Sequence, residues 1–194
     1  MEQWFILVGG WILYFFLHSL LASQSVKTAI QGKHKYVTKY YRLVYSIIST
    51  IGLLVLLWLN GIIISDDYFN RHGFLRYVSL FVASFGVIII RLAFKEHGLL
   101  PFLGFGVEDS AFKENGILTK VRHPIYSGTI LIVISYFLFS PNLPTLVSCI
   151  CIVAYLPIGI YLEERKLISQ FGDQYRDYKK STPALIPKLF IWFI

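Results

Sequence analysis

Charge is the scarcest thing in this chain. Asp, Glu, Lys and Arg make up 15% of its 194 residues, where soluble domains carry roughly a quarter. With 56% hydrophobic residues, that shortage excludes an ordinary soluble globular domain. Cysteine is nearly absent. Cys149 and Cys151 both lie inside an apolar run. They cannot build a disulfide framework and lack the spacing of a metal cluster, so they read as packing residues. Acidic residues are outnumbered, 11 against 18 basic, for a formal net charge of +7. The basic residues sit in short stretches between apolar runs. This argues against nucleic-acid binding and for a topology signal with attraction to anionic lipid. Internal repeats and low-complexity tracts are lacking too, and the length leaves no room for a separate soluble catalytic domain.

What the chain does have is long hydrophobic runs. About 20 apolar residues cross the hydrocarbon core of a bilayer. Five candidate spans follow: Trp4 to Ala22, Leu43 to Ile64, Phe74 to Ile90, Ile125 to Phe139, and Leu143 to Leu162. The first has Glu2 and no basic residue before it, so it reads as a retained span rather than a signal peptide. Ser140-Pro141-Asn142-Leu143-Pro144 is a tight turn, so the fourth and fifth spans should form an antiparallel hairpin. Pro157 removes a backbone donor inside the fifth span and should kink or loosen it. From Glu163 to Lys180 the chain is charged, with Leu167, Ile168, Phe171, Tyr175 and Tyr178 at spacings of three or four. That is an amphipathic interfacial helix, with Gly172 as a break and Pro183 and Pro187 as stops. The expected fold is all-α: a polytopic integral membrane protein of about five transmembrane helices and an interfacial C-terminal helix. It is one membrane domain over 1–194, with a three-helix part at 1–94 and a hairpin, loop and tail at 95–188.

Loop charges orient it. Lys27, Lys33, Lys35, Lys39 and Arg42 fill the first connection. Asp66 and Asp67 oppose Arg71 and Arg76 in the second. The third is basic, with Lys95, Lys113, Lys120 and Arg122, and the fourth carries no charge. The C-terminal segment holds Arg165, Lys166, Arg176, Lys179, Lys180 and Lys188. Basic connections alternate with poor ones, as the positive-inside rule requires. Five spans then put the N-terminus outside and the C-terminus in the cytoplasm, in a bacterial-type plasma (inner) membrane. Nothing in the sequence sets an oligomeric state.

Two polar groups stand at the hairpin's open end. Arg122-His123 precedes the fourth span, with Pro124 suited to the first helical turn. A helix N-terminus beside an arginine can hold a carboxylate or phosphate, although an Arg-His pair that only anchors a helix to headgroups would look the same. Glu163 and Glu164 follow directly on the fifth span. They are either a solvated rim or a counter-charge for a cation. The hairpin must bring these ends together, and a zwitterion carrying a carboxylate and an amine or sulfonium would fit between them.

Here the chain resembles a known superfamily. "RHPIY" at Arg122 to Tyr126, a hydrophobic hairpin, "EER" at Glu163 to Arg165 and "FGDQYRDYKK" at Phe171 to Lys180 are similar to the isoprenylcysteine carboxyl methyltransferase and phospholipid methyltransferase superfamily. The likeness covers roughly residues 95 to 188. "HSLLAS" at His18 to Ser23, followed by Tyr41-Arg42-Leu43, resembles its NnrU and methanethiol methyltransferase branch. The resemblance implies a membrane methyltransferase using S-adenosylmethionine, held at the cytoplasmic end of the hairpin. By motif, His123, Pro124, Ile125 and Tyr126 would line the cofactor, Glu163 would contact it, and Gly116 and Leu118 would border it. Many relatives have tyrosine where Leu118 stands. The isoprenylcysteine enzymes carry a carboxylate-binding arginine a turn before the acidic pair, where this chain has Gly159. That departure argues against a prenylcysteine substrate.

Methyl transfer from a sulfonium is an in-line displacement, so the protein must align nucleophile and methyl carbon and exclude water. An amine or thiol acceptor must also lose a proton, and a base helps. Arg122 and Glu164 are the expected catalytic groups, with Glu164 as base. His18 and His97 are the expected substrate-side residues, and each is also a candidate base. A structural role for His18 fits its position equally well. The expected partners are the lipid bilayer and a small or lipophilic thiol, carboxylate or amine acceptor. Two alternatives stand beside this. One is an NADPH-dependent membrane reductase related to sterol reductases, for which Gly104-Phe105-Gly106 is a slight dinucleotide signal. The other is a non-enzymatic NnrU-like membrane protein.

Overall fold

The computed structural model describes residues 2–31, 35–70, 72–98 and 112–188. They form α1 (Glu2–Ala22), α2 (Gln24–Gln31), α3 (Lys35–Ile62), α4 (Phe74–His97), a 3-10 turn (Gly116–Thr119), α5 (Pro124–Phe139), α6 (Leu143–Phe171) and α7 (Asp173–Ser181). Four of these, α1, α3, α4 and α6, contain stretches long and apolar enough to cross a membrane. The remaining apolar helix, α5, has 16 residues. At 1.5 Å per residue it is about 24 Å long, against a hydrocarbon core of about 30 Å. The protein is an all-α integral membrane protein of five hydrophobic helices, one of them short.

Helix ends differ from the hydropathy boundaries. α3 starts at Lys35, well before Leu43, and α4 continues past Ile90 to His97. Hydropathy marks the part of a helix that suits lipid. Backbone hydrogen bonding carries the helix on through Lys, Arg and Glu, which are good helix formers. α6 likewise runs unbroken through Pro157 and on past Glu163 to Phe171. Gly172, at φ 58°, ends it and starts α7.

Large apolar side chains such as Phe5, Phe81, Ile88 and Trp58 point outward on α1, α3 and α4. Lipid tails accept such a surface, so helix association must come from close packing and polar contacts. Both are present. A Cβ on Gly86 of α4 would stand 2.8 Å from the Gly128 carbonyl oxygen of α5, and a Cβ on Gly128 would stand 2.6 Å from that of Gly86. The two backbones therefore touch. Deeper in, Trp11 Nε1 donates to Ser148 Oγ (2.9 Å), which donates to Asn60 Oδ1 (2.8 Å). Asn60 Nδ2 donates to Tyr136 Oη at 2.6 Å and to Thr145 Oγ1 at 3.2 Å. This network joins α1, α3, α5 and α6 beside a core of Leu7, Trp11 and Leu56. Cys149 donates its thiol to the Val133 carbonyl, and Cys151 packs against that core. The α5–α6 turn is tied down by the Tyr68 N–H, which donates to the Pro141 carbonyl at 2.7 Å.

Candidate functional site

At the open end of the α5–α6 hairpin, charged side chains are buried together. Pro124 at the first turn of α5 leaves His123 as its N-cap and Arg122 just outside. Arg122 Nε and Nη2 donate to Glu164 Oε1 at 3.1 and 2.8 Å. His123 Nε2 lies 3.1 Å from the same oxygen, and Lys179 Nζ lies 2.5 Å from Oε2. Glu164 is thus the meeting point of three basic side chains from two segments, the start of α5 and α7. Its own side chain is 8% exposed and that of His123 is 1% exposed. A carboxylate so far from water needs such partners.

Its neighbour is placed differently. Glu163 is 45% exposed, with Oε2 3.5 Å from His123 Nδ1. The Tyr126 ring stands edge-on to His123, 5.6 Å between centroids. Gly159 makes room for this: a Cβ there would lie 3.0 Å from Tyr126 Oη. The site therefore brings Arg122, His123, Tyr126, Glu163 and Glu164 together.

The tail after α7 lies against the residues that precede α5. The Arg122 and His123 N–H groups donate to the Pro183 and Ala184 carbonyls at 2.9 and 3.0 Å. Arg122 Nη1 donates to the carbonyls of Lys179 and Thr182, and Ser127 Oγ to that of Leu185 at 2.7 Å. The chain after α7 thus folds back along the start of α5.

Gly116 and Leu118 lie on the 3-10 turn before α5. Gly116 has φ 57°, and a Cβ on it would overlap Glu96 Oε1. Leu118 is buried, and its carbonyl accepts from Tyr178 Oη at 2.6 Å. Burial pushes the Tyr178 phenol up to about 12, so it remains a donor. Tyr175, also buried, is raised further by burial and by Glu164.

His18 is in a second polar cluster, between α1, α3 and α6. Its Nδ1 lies 3.2 Å from Ser49 Oγ and its Nε2 lies 3.0 Å from Tyr45 Oη. Tyr14 and Tyr155 flank the ring, and Ser19 Oγ is 2.8 Å from Tyr155 Oη. Tyr126 and Tyr155 both lie against Gly159, where the two clusters adjoin. His97 closes α4, but its side chain lies outside the described residues, as do Gly104 to Gly106. Among the described residues no group of three His, Cys, Asp or Glu side chains is placed to hold a metal.

Sequence reasoning passed over Lys179, Tyr45 and Tyr155 as site members. For Tyr155 a signal existed: Tyr155, Gly159 and Glu163 recur every four residues and so share one face of α6. Lys179 and Tyr45 gave none, since their partners lie on other elements.

A family model described as NnrU protein matches residues 6–193. A methanethiol S-methyltransferase of Pseudomonas deceptionensis is 29% identical over 164 residues, covering 76% of this chain and 60% of that protein. Methanethiol S-methyltransferase 1 of Bradyrhizobium diazoefficiens is 30% identical over 183 residues, 88% of this chain and 62% of its own length. Protein-S-isoprenylcysteine O-methyltransferase of Schizosaccharomyces pombe is 32% identical over 81 residues, 41% of this chain and 34% of its own. The chain thus spans about three fifths of the length of those two methanethiol S-methyltransferases. No solved structure matches.

Proposed function

This chain belongs to the NnrU protein family, and we propose that it is a membrane methyltransferase using S-adenosylmethionine and acting on a small thiol. The observation that carries the reading is the meeting of His123 at the start of α5 with Glu163 and Glu164 of α6. The names of the methanethiol S-methyltransferases it resembles support the acceptor class.

The residues present fit such a donor. Its sulfonium and ammonium are cations, and Glu163 is the exposed carboxylate of the pair, lying against His123. Glu164 is already surrounded by three basic groups. Gly116, Leu118, Pro124 and Ile125 would border the donor from the 3-10 turn and the first turn of α5. The bound donor supplies an electrophilic methyl carbon on its sulfonium. The chain's own residues hold that carbon in line with the acceptor sulfur and keep water away. We assign Arg122 and Glu164 to holding α7 and the tail over the site, since Glu164 accepts from three donors and has little capacity to act as a base. His18 is the group we place on the acceptor side. Its imidazole can take the proton a thiol loses as its sulfur is methylated, and its neighbour Tyr155 meets Tyr126 at Gly159. His97, at the end of α4, is the second acceptor-side candidate. A small apolar thiol would arrive from the bilayer. We orient the protein in the plasma membrane with its N-terminus outside and the C-terminus and site at the cytoplasmic face, on the basis of its loop charges.

The test is calorimetry in detergent with S-adenosylmethionine, followed by headspace detection of dimethyl sulfide after methanethiol is added. Micromolar binding and product formation are expected. Folded protein with no affinity for the donor would sink the reading, and a co-purifying nicotinamide cofactor would favour a reductase.

A further inference from the structure

Tyr175 lies in the first half of α7 and is 2% exposed. Its hydroxyl is a buried side-chain oxygen with no hydrogen-bond partner among the described residues. The contrast with Tyr178, on the next turn of the same helix, is direct. That phenol is buried to a similar degree and donates to Leu118 O. The two rings pack edge to face, and Phe112 packs edge-on against both. The ring of Tyr175 is thus satisfied as a hydrophobic group, and phenylalanine would fill the same place. The oxygen alone is unaccounted for. Buried hydroxyls are nearly always paired, and an unpaired one costs the protein the hydration it gave up.

α7 carries Tyr175 against the candidate site: Lys179, four residues on and so on the same helix face, is paired with Glu164. Glu164 and Arg122 are already engaged with each other. On the reading that the site holds a methyl donor, we propose that Tyr175 is a binding residue for it, its hydroxyl donating to an oxygen of the donor. Two oxygens are chemically suited, the carboxylate of the amino-acid moiety and a ribose hydroxyl. In this arrangement the hydroxyl is unpaired until the donor enters, and binding removes the penalty.

The experiment compares wild-type protein with Tyr175→Phe in detergent, by thermal midpoint without ligand and by calorimetry with S-adenosylhomocysteine. The ligand-free variant should be as stable as wild type or more so, because an unpaired oxygen has been removed. Its affinity for S-adenosylhomocysteine should fall about tenfold, as the loss of one hydrogen bond predicts. Methylthioadenosine, which lacks the amino-acid carboxylate, locates the partner. An equal loss with both probes assigns the ribose, and a loss confined to S-adenosylhomocysteine assigns the carboxylate. Unchanged affinity in a folded variant overturns the proposal, as does a lowered midpoint with unchanged affinity, which would mark a structural hydroxyl. Wild-type protein that binds neither probe overturns the methyl-donor reading itself.

Discussion

Glu163 and Glu164 are adjacent in the chain and have opposite surroundings. One residue of helix turns a side chain by about 100°, enough to put Glu164 among Arg122, His123 and Lys179 and leave Glu163 half exposed. Their substitutions should separate accordingly. Glu163→Ala is expected to lower affinity for S-adenosylmethionine at least tenfold in calorimetry while the thermal midpoint hardly moves. An unchanged affinity removes Glu163 from the site. Glu164→Ala should unfold more easily, by about 3 kcal/mol, because it leaves buried basic groups without their counter-charge. A detergent melt at wild-type temperature would contradict that. Sequence placed both carboxylates at the rim of the hairpin and pointed to a meeting with Arg122 and His123. It could not tell which of the two was buried. That depends on the rotation of α6 about its axis, set by packing against α1 and α5, and on Lys179, which arrives from α7.

At the scale of elements, two contacts hold the site's frame. The α4–α5 crossing rests on Gly86 and Gly128, whose backbones leave no room for a methyl group. Gly86→Ala should cost about 1–3 kcal/mol through overpacking. Gly9→Ala, where a Cβ meets nothing within 4 Å, should be neutral or stabilising. Equal midpoints for the two variants would show that the crossing is looser than described. The second contact is Tyr178 to Leu118, which ties α7 to the 3-10 turn. Tyr178→Phe should lose about 1 kcal/mol near neutral pH. The folded phenol is raised to about 12 from an ordinary value near 10. Its contribution is therefore complete below pH 10 and disappears as pH rises through 12. Melts of wild type and variant across that range should converge from a gap at pH 8, and a gap constant with pH would exclude this hydrogen bond as its source.

At the scale of the whole molecule, the expected topology makes a prediction of its own. Reporter fusions should place the C-terminus in the cytoplasm and the α1 end outside, and the reverse would separate the candidate site from a cytoplasmic donor. The division between sequence and structure follows from the range of the forces involved. Apolar run length, turn residues and loop charge are local, so the sequence by itself determined an all-α membrane protein, its hairpin and the meeting of the hairpin's polar ends. Other features rest on contacts between residues far apart in the chain. The tail carbonyls that pair with the Arg122 and His123 N–H groups are one, as are the His18–Tyr45–Ser49 cluster and the unpaired Tyr175 hydroxyl. Hydropathy carries no information about which faces of two helices meet. Only tertiary packing decided that, by bringing polar groups from α1, α3, α6 and α7 to partners their own segments could not supply.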